Sequence, residues 1–254
     1  MQKNTLVGAA VIIVALAAFA VYATSKPAPA KAPGSAETLV LPDTGYTEHA
    51  AYYDIIANYA TTTPLSGNAN TVAVALMKGF INDTITRFKT NGNFDNLTSE
   101  DIATMGFDEG RREKLQIMYL MASSPRSISY IFTVYEDTLG AHGNTFFKTF
   151  TFSAASGALV TLADIFSPGA AYLNALSSIS LAKLPGTIGK DATNAQMLSA
   201  GTTPEEKNFA NFFLDNQEFV LLFPPYQVAP YAAGPQTLRI PLSELSNIFK
   251  QEYR

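Results

Sequence analysis

The chain has 254 residues, a formal net charge of −4 at pH 7, two histidines and no cysteine. Without cysteine there can be no thiol nucleophile, disulfide or thiolate metal site, and with only His49 and His142 a zinc or other metal centre is not expected. The acidic balance makes nucleic acid a poor partner.

Between Lys3 and Lys26 the chain carries no charge, and residues 6–24 are almost wholly apolar on every helical face. At about 1.5 Å per residue, the uncharged run of residues 4–25 covers about 33 Å, enough for a hydrocarbon core of about 30 Å. A single-pass transmembrane helix over residues 6–24 is therefore expected, with residues 1–5 as a cytoplasmic tail. The alternative is a signal peptide cut after Ala23, which would release the rest as a secreted protein. Retention is favoured because the apolar run exceeds the usual signal core. Residues 25–38, beginning SKPAPAKAPG, alternate Pro with Ala and Lys and read as an extended stalk. The domain beyond is expected on the extracytoplasmic side of the cytoplasmic membrane.

The Tyr-rich stretch from Leu39 to Ala60 reads as one or two short strands. Asn70 to Lys89 then places Val72, Leu76, Met77, Phe80, Ile81, Ile85 and Phe88 at helical spacing, with Asn91-Gly92 as a stop. A weaker helix opens at Thr98-Ser99-Glu100-Asp101 and is interrupted by Gly106 and Gly110. From Lys114 the period changes to two, which predicts a four-stranded antiparallel meander: Leu115 to Met121, Ile128 to Val134, Phe146 to Phe152 and Leu159 to Leu162. Gly157 supplies the positive φ that the third turn wants. Asp164 to Leu184 predicts a short helix broken at Pro168-Gly169 and a longer one. Thr203-Pro204-Glu205-Glu206 has capping-box chemistry, predicting a helix from Pro204 to Leu214. Two strands, Glu218 to Phe223 and Thr237 to Ile240, and a last helix, Ser243 to Tyr253, close an α+β fold of an N-terminal transmembrane helix and a β meander with packed helices.

The loop from Pro224 to Pro235 holds Tyr226, Pro230 and Tyr231 among four prolines, so these aromatics have little conformational entropy left to lose. They are candidate ligand-binding residues. His142, between two glycines in a strand-to-strand connection, is a fourth. No Gly-x-Ser-x-Gly elbow or phosphate-binding loop is present. The carboxylate pairs Glu136-Asp137, Asp108-Glu109 and Glu205-Glu206 are sequence neighbours and point apart. No catalytic residue and no cofactor is therefore expected.

Two passages carry a resemblance. SISYIFTVYEDTLGAHGNTFFKTFTFSAASGALVTLADIF (residues 127–166) and FVLLFPPYQVAPYAAGPQTLRIPLSEL (residues 219–245) resemble the RsiV-like extracytoplasmic domain, the sensor region of an anti-sigma factor. The motifs that carry it are Gly140-Ala141-His142-Gly143-Asn144 and the run from Tyr226 to Pro235. Residues 39–113 are similar, more weakly, to the PdaC-type N-terminal domain that precedes it, which leaves 114–254 for the RsiV-like part. The resemblance implies an α+β domain outside the cytoplasmic membrane and, in the sensor case, one that binds lysozyme. Within this sequence neither a sigma-binding domain before the helix nor a deacetylase domain after the shared region is recognisable. The expectation is a membrane-tethered domain that binds a protein or glycan ligand of the cell envelope, lysozyme being the most concrete. The alternative is a carboxylate-dependent envelope hydrolase.

Overall fold

The computed structural model describes residues 45–189 and 191–254. Residues 1–44, and with them the expected transmembrane helix and stalk, lie outside that description. Among the described residues no helix is long and apolar enough to cross a membrane.

Six strands form one sheet in sequence order: β1 (Gly45–His49), β2 (Tyr53–Asn58), β3 (Glu113–Ser123), β4 (Ser127–Asp137), β5 (Asn144–Ser153) and β6 (Leu159–Val160). The expected meander is present, with Ile117 facing Val134 and Tyr130 facing Phe150. The β2–β3 pair is parallel, however, with Ile55 beside Leu115. That crossover is made by α1 (Gly67–Gly92) and α2 (Ser99–Met105).

Helix α1 buries Ala73, Met77, Ile81, Thr84 and Phe88 on one face of the sheet, against Leu115, Ile117, Phe132 and Phe152. Its stripe is narrower than the apolar pattern of the sequence, because Val72 and Leu76 remain exposed. Asn93 ends the helix in the left-handed region at φ 48°, its N–H donating to the Lys89 carbonyl. Helix α2 opens on a reciprocal capping box between Thr98 and Asp101 and stops at Gly106.

A second sheet of three antiparallel strands, β7 (Phe212–Asp215), β8 (Glu218–Phe223) and β9 (Gln236–Pro241), covers the other face of the first. Period two sorts its side chains. Phe213, Val220 and Leu222 pack with Ala122, Ile131 and Phe147 of the first sheet. Phe212, Leu214, Phe219, Leu221 and Phe223 point the opposite way, into the largest core. That core is closed by α3 (Leu162–Ile165), α4 (Tyr172–Ile188) and α5 (Ala195–Gly201), so the layers run helix, sheet, sheet, helix. The sheets are also tied by hydroxyls: Phe212 N–H donates to Thr149 Oγ1 at 3.2 Å, and Thr151 Oγ1 to the Phe212 carbonyl at 3.5 Å.

Two expected helices are not formed. Residues 204–214 give only a 3₁₀ turn, Glu206–Phe209, followed by strand β7. Thr203 is drawn off the cap by Asn208, whose Nδ2 donates to its carbonyl and to Oγ1. A helix would also bury one stripe, whereas Phe212 and Phe213 are both buried, on opposite faces of a strand lying between two cores. At the C-terminus, Ser243 to Tyr253 is split into 3₁₀ turns Leu242–Leu245 and Gln251–Tyr253. Between them Phe249 forms a bridge with Phe166, Lys250 N–H donates to the Ile165 carbonyl, and Ser167 N–H to that of Ile248. The fourth meander strand also stops early, at Val160, because Thr161 caps α3 together with Asp164.

The six-stranded sheet thus has two unlike ends. One carries the β3–β4 turn at 124–126 and the β5–β6 turn at 154–158, and the other the β4–β5 connection at 138–143. Ten residues of β5 separate them, about 30 Å.

Candidate functional site

The β4–β5 connection is a six-residue loop fixed from below. Leu139 takes φ 62°, its N–H donates to Asp137 Oδ1 at 2.9 Å, and Arg111 Nη2 donates to its carbonyl at 3.2 Å. Gly143 is buried where the Tyr135 ring passes so closely that a Cβ would lie 2.3 Å from the tyrosine oxygen. Only glycine fits there, and its carbonyl is left facing the adjacent loop.

That loop is residues 224–235, between β8 and β9. Val228 and Ala229 are 1% and 2% exposed and plug it into the main core. Gln227 Nε2 donates to the Gly201 and Asn208 carbonyls at 3.0 and 2.9 Å. Pro230 (φ −57°) leads into the 3₁₀ turn Tyr231–Ala233, and Ala233 N–H donates to its carbonyl. With these anchors in place, Tyr226 is forced outward at φ 69°, a conformation that costs a non-glycine residue roughly 1 kcal/mol or more. Its side chain is 52% exposed.

The two loops, 84 residues apart in sequence, meet. His142 stacks on Tyr231 with ring centroids 3.7 Å apart and planes 16° from parallel. His142 Nε2 lies 3.0 Å from the Tyr226 hydroxyl, and the Tyr226 and Tyr231 centroids are 5.5 Å apart. Both the Tyr231 hydroxyl and His142 Nδ1 reach the Gly143 carbonyl at 3.0 Å. A carbonyl can only accept, so Nδ1 carries the proton, and in the neutral imidazole Nε2 accepts from the Tyr226 hydroxyl. Tyr226 therefore offers lone pairs, not a proton, to a ligand. Tyr135, beneath, is raised above the usual phenol range by burial, then by Asp137 and Tyr231.

All three expected aromatic residues thus lie in one cluster, with Pro230 shaping the backbone below it. Sequence reasoning missed the supports: Gly143 with Tyr135, Arg111, and the Gln227 side chain. A glycine flanking His142 was the one available signal, since close backbone approach is a common reason for glycine in a connection.

Near the same end of the sheet, Glu113 starts β3 and is only 6% exposed. Burial, then Glu136 and Asp137, push its carboxyl up to about 7. No group of three or more His, Cys, Asp or Glu among the described residues is placed to hold a metal ion.

The architecture is α+β, with antiparallel-rich sheets and packed helices. Residues 163–243, which include the 224–235 loop but not His142, match the family described as Protein of unknown function (DUF3298), so a domain of that kind is present. The chain is 33% identical over 145 residues to the peptidoglycan-N-acetylmuramic acid deacetylase PdaC of Bacillus subtilis (strain 168), a match covering 56% of this chain and 31% of that protein. It thus spans about a third of that relative's length. A DUF3298-family crystal structure from Bacteroides fragilis NCTC 9343 shares the fold, with a TM-score of 0.59 at 16% identity over 82% of this chain and 92% of that one. Another, from Pseudomonas aeruginosa PAO1, aligns at a TM-score of 0.46 and 16% identity over 79% and 85%.

Proposed function

We propose that the protein is an extracytoplasmic binding module of the cell envelope, tethered through residues 6–24, which docks a cell-wall-related ligand on the platform formed by His142, Tyr226 and Tyr231. The observation that carries this reading is the exposed Tyr226, held at positive φ by a loop anchored through buried Val228 and Ala229 and the hydrogen-bonded side chains of Gln227 and Tyr231. Strain kept at an exposed aromatic is what a preorganised contact needs: the entropy is lost on folding, and binding does not have to supply it. Flat aromatic faces with outward lone pairs suit the C–H and O–H groups of a glycan, and equally an anchor cavity on a protein.

That the Bacillus subtilis relative is a peptidoglycan deacetylase supports a wall-related setting. The resemblance of the 127–166 and 219–245 passages to the RsiV-like sensor domain supports lysozyme as the protein ligand. The hydrolase alternative is disfavoured by geometry. His142 is engaged on both nitrogens, and among the described residues the buried carboxyl of Glu113 has no partner positioned to activate water.

The test is binding of the full chain, in detergent, to purified peptidoglycan sacculi by co-sedimentation and to lysozyme by calorimetric titration. Saturable binding to one of them, weakened at least tenfold by Tyr226→Ala, supports the reading. Absence of binding to both at low salt, or binding indifferent to Tyr226→Ala, overturns it.

A further inference from the structure

At the opposite end of the sheet from the platform, the β3–β4 turn, the β5–β6 turn and the C-terminal turn surround a cleft of about 1000 Å³. That volume is at the upper end of small-ligand sites. Its lining includes Arg126, Ser153, Ser156, Lys250 and Tyr253. The turns are rigid where they meet: Ala154 N–H donates to the Arg126 carbonyl at 2.9 Å, and Gly157 N–H to that of Ser153 at 2.8 Å.

The charges in the cleft are unequal in their freedom. Lys250 is partly offset by Glu252, at 3.9 Å, and by the nearby Asp164. The Arg126 guanidinium, exposed on the turn, meets no carboxylate or carbonyl among the described residues. A guanidinium presents paired donors in the plane that a carboxylate accepts. The hydroxyls are also available. Ser153 Oγ accepts from Ser156 N–H, and Ser156 Oγ from Ala158 N–H, so each O–H proton remains to be donated. Pro125, Ala154 and Ala155 supply apolar wall beside them. Cation, hydroxyl donors and apolar wall in one cleft match a ligand that carries a carboxylate and oxygen acceptors on a compact ring.

We propose that this cleft is a second binding site, for a carboxylate-bearing amino sugar of the N-acetylmuramic acid class, with Arg126 receiving the carboxylate and Ser153 and Ser156 the ring oxygens. It deepens the wall-binding reading but uses different residues, so either can fail alone. One site at each end of a strand layer about 30 Å long lets the module engage a wall strand and a separate ligand at once.

The test is protein-observed NMR on the full chain in detergent, following the Ala154 and Ala155 methyls. The probes are N-acetylmuramic acid, N-acetylglucosamine, which lacks the lactyl carboxylate, and lactate, which lacks the sugar. The expected result is saturable shifts at these methyls with N-acetylmuramic acid, and affinity at least fivefold weaker for each of the other two. Arg126→Gln, at an exposed side chain whose loss should leave the urea midpoint in place, is expected to lower the N-acetylmuramic acid affinity to that of N-acetylglucosamine. No saturable shift, equal affinity for the two sugars, lactate binding as tightly, full affinity in Arg126→Gln, or shifts confined to the surroundings of Tyr226 and His142 would each overturn the proposal.

Discussion

Glu113→Gln should stabilise the protein at alkaline pH and leave it unchanged in acid. Glu113 enters the sheet at the head of β3, 6% exposed and without a side-chain hydrogen-bond partner among the described residues, with Glu136 and Asp137 close by. Burial and these two like charges favour the neutral acid and move its pKa from 4.5 to about 7. A folded pKa above the unfolded one means a contribution fully present below about 4.5, lost progressively as pH rises to 7, and absent beyond. At about 1.4 kcal/mol per pH unit, the shift from 4.5 to about 7 spans at most about 3.5 kcal/mol. Glutamine keeps the shape and cannot ionise, so it removes the linkage. Urea unfolding followed by circular dichroism at pH 4, 6 and 8 would measure it, with m values checked for constancy. The expected difference between variant and wild type is within about 0.5 kcal/mol at pH 4 and grows to about 2–3 kcal/mol in favour of Glu113→Gln at pH 8. A difference that does not change with pH would refute the burial and charge argument.

Gly201→Ala should cost about 2 kcal/mol, because the new Cβ would lie 1.9 Å from the backbone oxygen of Gln227 and the 224–235 loop would have to move; an unchanged urea midpoint contradicts this. Arg239→Met should cost about 3 kcal/mol. Arg239 Nη1 bonds both Asp215, 4% exposed, at 2.9 Å and Glu218 at 2.6 Å, so its loss strands a buried carboxylate. Asp215→Asn in the same background should recover part of that loss, and a double variant no more stable than Arg239→Met would show that the ion pair is not the cause.

Strand positions were the most legible part of the sequence. Alternation through Leu115, Ile117, Tyr130 and Phe132 reports a sheet with apolar cover, and Gly157, at φ 71°, does at its turn what its position foretold. The first helix was legible in place but not in face. Met77 and Ile81 are buried as the pattern asked, while Val72 and Leu76 are not, since helix spacing alone does not say how wide the covering surface is. At 203–206 a genuine local cap signal lost to tertiary demand, because Phe209, Phe212, Phe213 and Leu214 had to be buried toward two cores. The site residues could be nominated one by one, from prolines around Tyr226 and Tyr231 and glycines around His142. Their contact could not, because nothing local encodes which loops of two different sheets will meet, or that Gly143 must make room for Tyr135.

A double-mutant cycle decides whether His142 and Tyr226 act as one binding platform. The ligand bound by wild type, lysozyme or soluble wall fragments, would be titrated against His142→Ala, Tyr226→Ala and the double variant, all matched for folding. If they form one platform, each single change weakens binding at least tenfold and the double change adds little more, a coupling of about 1 kcal/mol or above. Wild-type affinity in both single variants, or losses that add in full, would contradict it.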